Sequence, residues 1–430
     1  MTLTEQLIRY VRAKPIDDAD LRAASLYVLD AIANAVAGRA SGPGRILADW
    51  AAQASRDAGR EAFFLGGIIH SLETDDLHRA SVVHPGCVVV PVIVALGRRQ
   101  GTKGRALLKA TLRGFEACCR VGMAVGPAHY RIWHNTATCG PYGSAMAAAD
   151  LLDLDAGQAM HALGNAGTQS AGFWQFLDTG AMSKHLHAGR AAEAGIVAAE
   201  LAARGFTGAP AILEGAKGFF AGACPDARPD ALLAAPDDPW QLRQTSIKPW
   251  PSCRHTHPLV DAALEAHAAL RGQAIAAVAV TTYPAAVAVC DRPRPESEYE
   301  AKFSLHHCVA AALGDGEVGF GSFDEEARRR LAGLREKVTV KVGEPFAANY
   351  PQAWGTRVEV RTTDGGQVAA ERLVCKGDPE MPLDATQMVA KAGHLMAYGN
   401  LEDKAARALI DGILAMADDG PLPDIPGLNA

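Results

Sequence analysis

Proton-active side chains gather in five short stretches of this chain. The densest is "TSIKPWPSCRHTHPLVDAALEAH", Thr245 to His267, which sets Lys248, Cys253, Arg254, His255 and His257 around two prolines before an alanine-rich helical pattern begins. "HSLETDDLHRASVVHPG" carries Glu73, Asp75, Asp76, His78, Arg79 and His84. "HYRIWHNTATCG" places His134 ahead of a helix start, "SKHLHAGRAA" holds Lys184, His185 and His187, and "KFSLHHCV" holds Lys302, His306 and His307. Histidine, with an unperturbed pKa of about 6.5, is the natural proton carrier near neutral pH. Lysine ammonium groups neutralise anions and the charge that develops on an enolate. A thiol beside cations, as Cys253 stands beside Lys248, Arg254 and His255, is expected to ionise more readily than usual. Together these types suit an acid–base site.

Each stretch also has a plainer reading. Asp75 and Asp76 can cap a helix, and His134 can be a hydrogen-bonded structural residue. His257 is expected to cap or anchor the helix that follows it. The pairs His185/His187 and His255/His257 are weak metal signals, because HExxH is absent and no third ligand sits at zinc spacing. The contiguous run His306-His307-Cys308 is not zinc spacing either. No metal is expected. The nine cysteines form no CxxC pair, and their apolar neighbours point to reduced core thiols, with Cys253 the exception.

Bulk composition narrows the classes. At 430 residues two domains are expected, and 49% hydrophobic with 21% charged residues is globular. A net charge of −6 without a dense Lys/Arg run speaks against nucleic-acid or anionic-membrane partners. The N-terminal stretch is charged where a signal peptide is apolar. The longest apolar run, residues 87–97, is well short of the roughly 20 residues that span a bilayer. A cytoplasmic protein is therefore expected.

The elements that must position these residues change character along the chain. Residues 1–245 read as helix after helix. Asp17 and Asp18 are cap candidates for a helix that buries Leu21, Ala24, Val28, Ile32 and Val36 on one stripe. Ala- and Gly-rich helices suit close packing. From 246 to 378 the segments 274–284, 337–344 and 354–374 alternate and are β-branched, and Asp364-Gly365-Gly366 supplies a hairpin turn. Residues 379–430 are helical again and are expected to pack back on the first domain. The fold class is mainly α with an inserted, smaller α+β domain. Neither GxGxxG after a strand nor GxxxxGK[ST] is present, so no phosphate cradle is supported.

"GGIIHSLETDDLHRASVVHPGCVVVPVIVALG", "HNTATCGPYGSAMAAADLLDLD", "MSKHLHAGRAAEAGIVAAELAARGFTGAPAILEGAKGFF", "KPWPSCRHTHPLVDAAL" and "AKFSLHHCVAAAL" resemble, in order, the signatures of the MmgE/PrpD family. That family includes 2-methylcitrate dehydratases, cis-aconitate decarboxylases and iminodisuccinate epimerases. The resemblance implies a large helical domain made from both chain ends, a smaller α+β domain, a cleft between them and a homodimer. It implies no cofactor, and a small di- or tricarboxylate as substrate. Carried onto this chain, it places His84, His134, Lys184 and Lys248 in the site, with the acidic position at Glu73 or the Asp75/Asp76 pair. Three positions depart from the decarboxylase pattern: Leu77 where a threonine is expected, Cys253 for a histidine and His307 for a tyrosine.

The catalytic candidates are thus His84, His134, Lys184, Lys248 and Cys253. Glu73, Asp76, His78, Arg79, His255 and His307 are candidate substrate-binding residues. Cys253 on one face of a carbon and His or Lys on the other would make a two-base epimerase acting on an iminodisuccinate-like dicarboxylate. The alternative is a lyase, a dehydratase or decarboxylase, in which His84 or His134 serves as the acid. A binding or scaffold protein on the same fold is a third reading, disfavoured by so many ionisable segments.

Overall fold

The computed structural model describes residues 1–53 and 57–428. The chain divides into two compact units, one of residues 1–246 with 384–430, the other of residues 247–383.

The larger unit is built of helices whose ends follow local rules. Asp17 caps helix Asp18–Arg39 and forms a capping box with Asp20, and the stripe from Leu21 to Val36 is buried. Helix Gly86–Gln100 starts after Pro85 and stops at Gly101, which takes the left-handed φ of 63° that glycine tolerates. Small residues let the central helices touch backbone to backbone. A Cβ on Gly143, in helix Asn135–Leu151, would lie 2.7 Å from the Gly114 carbonyl oxygen of helix Gly104–Ala124. Helix Ser183–Ala203 packs on both Ala58–Ile69 and Asn135–Leu151. Near the C-terminus, helix Ala385–Tyr398 lies on Asp18–Arg39, where Lys391 pairs with Asp30. Both chain ends therefore contribute to one core.

This unit is not purely helical. Strands β1 (Leu77–His78) and β2 (Thr245–Ser246) pair antiparallel, His78 opposite Thr245. The segment 70–84 has left helical geometry there, and the short ladder gives its buried backbone partners.

The smaller unit is a four-stranded sheet in the order β4 (Val338–Val342), β3 (Ile275–Thr282), β5 (Thr356–Thr362), β6 (Gln367–Arg372). Strands β3 and β4 run parallel, and the other two pairings are antiparallel. Along β5 the residues Thr356, Val358, Val360 and Thr362 are buried in alternation, the period-2 pattern of a sheet with one covered face. Helix His257–Leu270 packs on β5 and β6, and helix Leu305–Asp315 on β4. The β5–β6 hairpin turns through Gly365, whose φ is 91°. No helix among the described residues is long and apolar enough to cross a membrane.

Candidate active site

Four helix ends bring ionisable groups together in the larger unit. His70 closes helix Ala58–Ile69, His84 precedes helix Gly86–Gln100, His134 is the N-cap of helix Asn135–Leu151, and Lys184, His185 and His187 lie in the first turns of helix Ser183–Ala203. The last three helices start without a side-chain cap from their own N-cap residue. The starts of Asn135–Leu151 and Ser183–Ala203 present backbone N–H groups and a partial positive charge, which favours anions, whereas the Gly86 N–H already meets the Asp76 carboxyl.

The side chains touch one another. Asp75 Oδ2 is 2.6 Å from His70 Nδ1 and 3.1 Å from His84 Nδ1. The His70 ring meets the edge of His84 at 4.6 Å and stacks on His134 at 5.6 Å. His134 Nδ1 lies 3.2 Å from His187 Nδ1, and Trp174 and Phe176 wall the His134 ring. His185 Nδ1 donates to the His70 carbonyl at 3.1 Å. The His84 backbone N–H donates to Thr136 Oγ1 at 3.1 Å, tying the His84 segment to the helix of His134. Lys184 forms an ion pair with Glu73, both nearly buried.

Glu73 holds a left-handed φ of 62°. A non-glycine residue there is strained by about 1–3 kcal/mol, and such strain concentrates at functional sites. More support comes from residues with no distinctive sequence signal. Thr74 donates its hydroxyl to Asn34, and Lys391 donates to the Thr74 carbonyl at 2.8 Å as well as pairing with Asp30.

Burial sets the charge states. It lowers His70 to about 3, with Asp75 pulling the other way, and lowers His185 and His187 to about 4. His134 is pushed well below its ordinary value by burial and by the neighbouring His70. These imidazoles are neutral at pH 7, and burial alone makes them reluctant to take a proton. Burial would raise Asp75, but His70 and His84 outweigh it and hold the carboxyl well below the usual range. Asp76 goes the opposite way, raised by burial and by the charges of Asp75 and Asp30.

Of the expected site residues, Glu73, His84, His134 and Lys184 fall in this cluster. Asp76 has a different job from substrate binding: both its carboxyl oxygens lie 3.1 Å from the Gly86 N–H, so it caps helix Gly86–Gln100. A Cβ at Gly86 would come within 2.8 Å of that carboxyl, which explains the glycine after His84-Pro85. His78 is likewise tied up, with Nδ1 2.8 Å from Ser81 Oγ and a further hydrogen bond to Gln241. Arg79 beside it is half-buried. The residue that sequence reasoning missed is His70. Its only signal was its place five residues before Asp75.

The smaller unit holds a second cluster, described by itself. Lys248 is 1% exposed and its charge bears on His255 and His257. His255 stacks on Trp354 at 4.5 Å and its Nδ1 meets Tyr283 Oη at 2.7 Å, while burial and then the Arg254 charge lower it to about 3. Arg254 is paired with the buried Asp378. His257 begins its helix and contacts the Ser252 carbonyl at 3.2 Å. Cys253 is buried, donates its backbone N–H to the Lys302 carbonyl, and neighbours the thiols of Cys290 and Cys308. Of the three cations expected to activate it, Arg254 is already paired and His255 is neutral, which leaves Lys248. His307 is turned inward, with Nε2 2.7 Å from the Ser322 carbonyl and Nδ1 3.3 Å from Arg335. All nine cysteines are free and buried.

His70, Asp75 and His84 place potential metal-ligand atoms within 4.8 Å of one another. Neighbouring ligands of an ion bound at about 2.0–2.1 Å stand about 3 Å apart. The 2.6 Å His70–Asp75 contact is instead a direct hydrogen bond.

Comparison with known proteins identifies the family. The MmgE/PrpD N-terminal domain matches residues 5–231 and the MmgE/PrpD C-terminal domain matches residues 250–414. The chain is 31% identical over 284 residues to a cis-aconitate decarboxylase of Homo sapiens, covering 61% of this chain and 57% of the relative. It is 25% identical over 393 residues to a cis-aconitate decarboxylase of Aspergillus terreus, covering 83% and 79%. The matches to the human and mouse relatives span less than two thirds of those proteins, 57% and 60%. The chain belongs to the MmgE/PrpD family.

Proposed function

We propose that this member of the MmgE/PrpD family is a lyase that acts on a small di- or tricarboxylate, with decarboxylation of cis-aconitate or a close analogue as the leading reaction. The observation that carries the reading is the buried group of His84, His134 and Lys184, gathered where uncapped helix starts favour an anion. Lys184 is assigned the carboxylate, competing with Glu73 for it. As a C–C bond to a carboxylate breaks, its electron pair enters an enolate that an ammonium group stabilises. A histidine then returns a proton to carbon. The histidines are neutral in the free protein, and a bound polyanion favours their protonated form. The named relatives support the lyase class.

The epimerase reading takes second place. It depended on Cys253 as an activated thiolate, and the pairing of Arg254 with Asp378 removes most of that motive. The test is proton NMR of the purified protein in D₂O with cis-aconitate, citrate, 2-methylcitrate and one stereoisomer of iminodisuccinate. A new vinyl resonance with released CO₂ is the expected result. Deuterium entering an α-carbon with loss of optical activity and no alkene would make the protein an epimerase instead.

A further inference from the structure

Asp75 and Asp76 are sequence neighbours, 1% and 3% exposed, yet they are held in opposite states. Asp76 faces a helix N–H and other carboxylates. Asp75 faces two imidazoles at one oxygen, 2.6 Å from His70 and 3.1 Å from His84. The His70 contact is a hydrogen bond, and a carboxylate only accepts, so His70 Nδ1 carries the proton. The His84 contact is not aligned as a hydrogen bond, but a nitrogen lone pair 3.1 Å from a carboxylate is repelled, which favours the proton at Nδ1 there too. Each ring then keeps its Nε2 unprotonated. The His70 Nε2 is fully buried and has no hydrogen-bond partner among the described residues.

We propose that Asp75 is a positioning residue that fixes His84 and His70 as Nδ1–H tautomers and steadies the His84 imidazolium that gives its Nε2 proton to carbon. The catalytic half of this rests on the lyase reading above; the tautomer half does not. With the polyanion bound, His84 holds a proton at each nitrogen and its positive charge sits against the Asp75 carboxylate. During the step the Nε2–H bond breaks as that proton passes to the substrate carbon, the Nδ1–H stays in place, and solvent restores the Nε2 proton after CO₂ leaves. His70, the second donor on the same oxygen, restrains the carboxylate and takes part of its accepting capacity. Removing His70 should therefore make His84 more basic. The other charged or titratable groups facing this pair are Lys184 with its partner Glu73, His185, His134 and Asp76.

The experiment is nitrogen-15 NMR of the full chain with labelled histidine, wild type against Asp75→Ala and Asp75→Asn, with turnover measured on the same samples. Wild type should show protonated Nδ1 and bare Nε2 on His84 and His70, and Asp75→Ala should mix the tautomers of both. Both variants should lose about 10²–10⁴ in kcat with little change in KM, because Asp75 acts through His84 and not on the substrate. A wild-type His84 protonated at Nε2, or unchanged tautomers in Asp75→Ala, overturns the proposal. Expected tautomers with no wild-type turnover on any carboxylate overturn the reaction while supporting the positioning role. If the Asp75 variants fail to fold, His70→Phe decides: the His84 pKa should rise by about one unit, and no rise overturns the shared-oxygen arrangement.

Discussion

The two ionisable clusters of this protein draw on the same residue types and are organised differently. In the larger unit the ionisable groups bind one another: Asp75 to His70 and His84, His134 to His187, Lys184 to Glu73. In the smaller unit most of them are consumed by structural partners. Arg254 goes to Asp378, His255 to Tyr283 and Trp354, His257 to the Ser252 carbonyl, and His307 to Ser322 and Arg335. The densest run of chemical residues in the sequence is thus less free than the sparser set dispersed from residue 70 to residue 187. Density along a chain measures local composition. A site needs groups whose remaining hydrogen-bonding capacity points at a ligand.

The sharpest test of this contrast is activity. His84→Ala, His134→Ala and Lys184→Ala should each lower kcat/KM by about 10²–10⁴ without unfolding the chain, measured by steady-state kinetics. Lys248→Ala is the comparison that could break it. An equal loss would tie the smaller unit's lysine to the same reaction, and a loss below about threefold would leave that unit structural.

Arg254→Ala should instead cost stability. Leaving the buried Asp378 carboxylate without its countercharge is expected to destabilise by about 3–5 kcal/mol in urea unfolding, with turnover per folded molecule largely kept. Acid should weaken both regions. His70 and His255 have native values of about 3, and His78, His185, His187 and His307 about 4, against an unfolded value of about 6.5. Between those values the unfolded chain binds more protons. The stability is therefore fully present above pH 6.5 and lost as pH falls toward 4, by up to about 1.4 kcal/mol per pH unit for each histidine. Thermal midpoints measured from pH 7 to pH 4.5 should fall accordingly.

Smaller effects separate the neighbouring carboxyls and the thiol. Asp76→Asn keeps an acceptor for the Gly86 N–H, so it should change stability at pH 7 by less than about 1 kcal/mol, whereas Asp75→Asn should be severe in turnover. Cys253→Ser should alter decarboxylation by less than about threefold, and a loss beyond tenfold would restore the two-base reading.

How far the sequence reached can be seen residue by residue. Asp17 announced its capping box, Asp364-Gly365-Gly366 its hairpin, and the alternation in 356–362 its strand, because caps, turns and one-face burial are set by neighbours a few residues away. The Ala/Gly-rich helices signalled close packing for the same reason. His84, His134 and Lys184 could be picked out from their local motifs and the family resemblance. That Asp76 would cap a helix while Asp75 served two histidines could not, since the two carboxyls are equivalent in sequence and differ only in which groups the folded chain brings to them. Nor could His70 acquire a meaning before its ring was packed between His84 and His134, or Lys391 before its helix brought it to Thr74, 317 positions away in the chain. Residue types and local periodicity determined the elements and the available chemistry of this protein. Which groups are neutral, which are charged and which remain free was decided only by burial and long-range contact, because charge states depend on desolvation and on partners that the linear chain does not hold together.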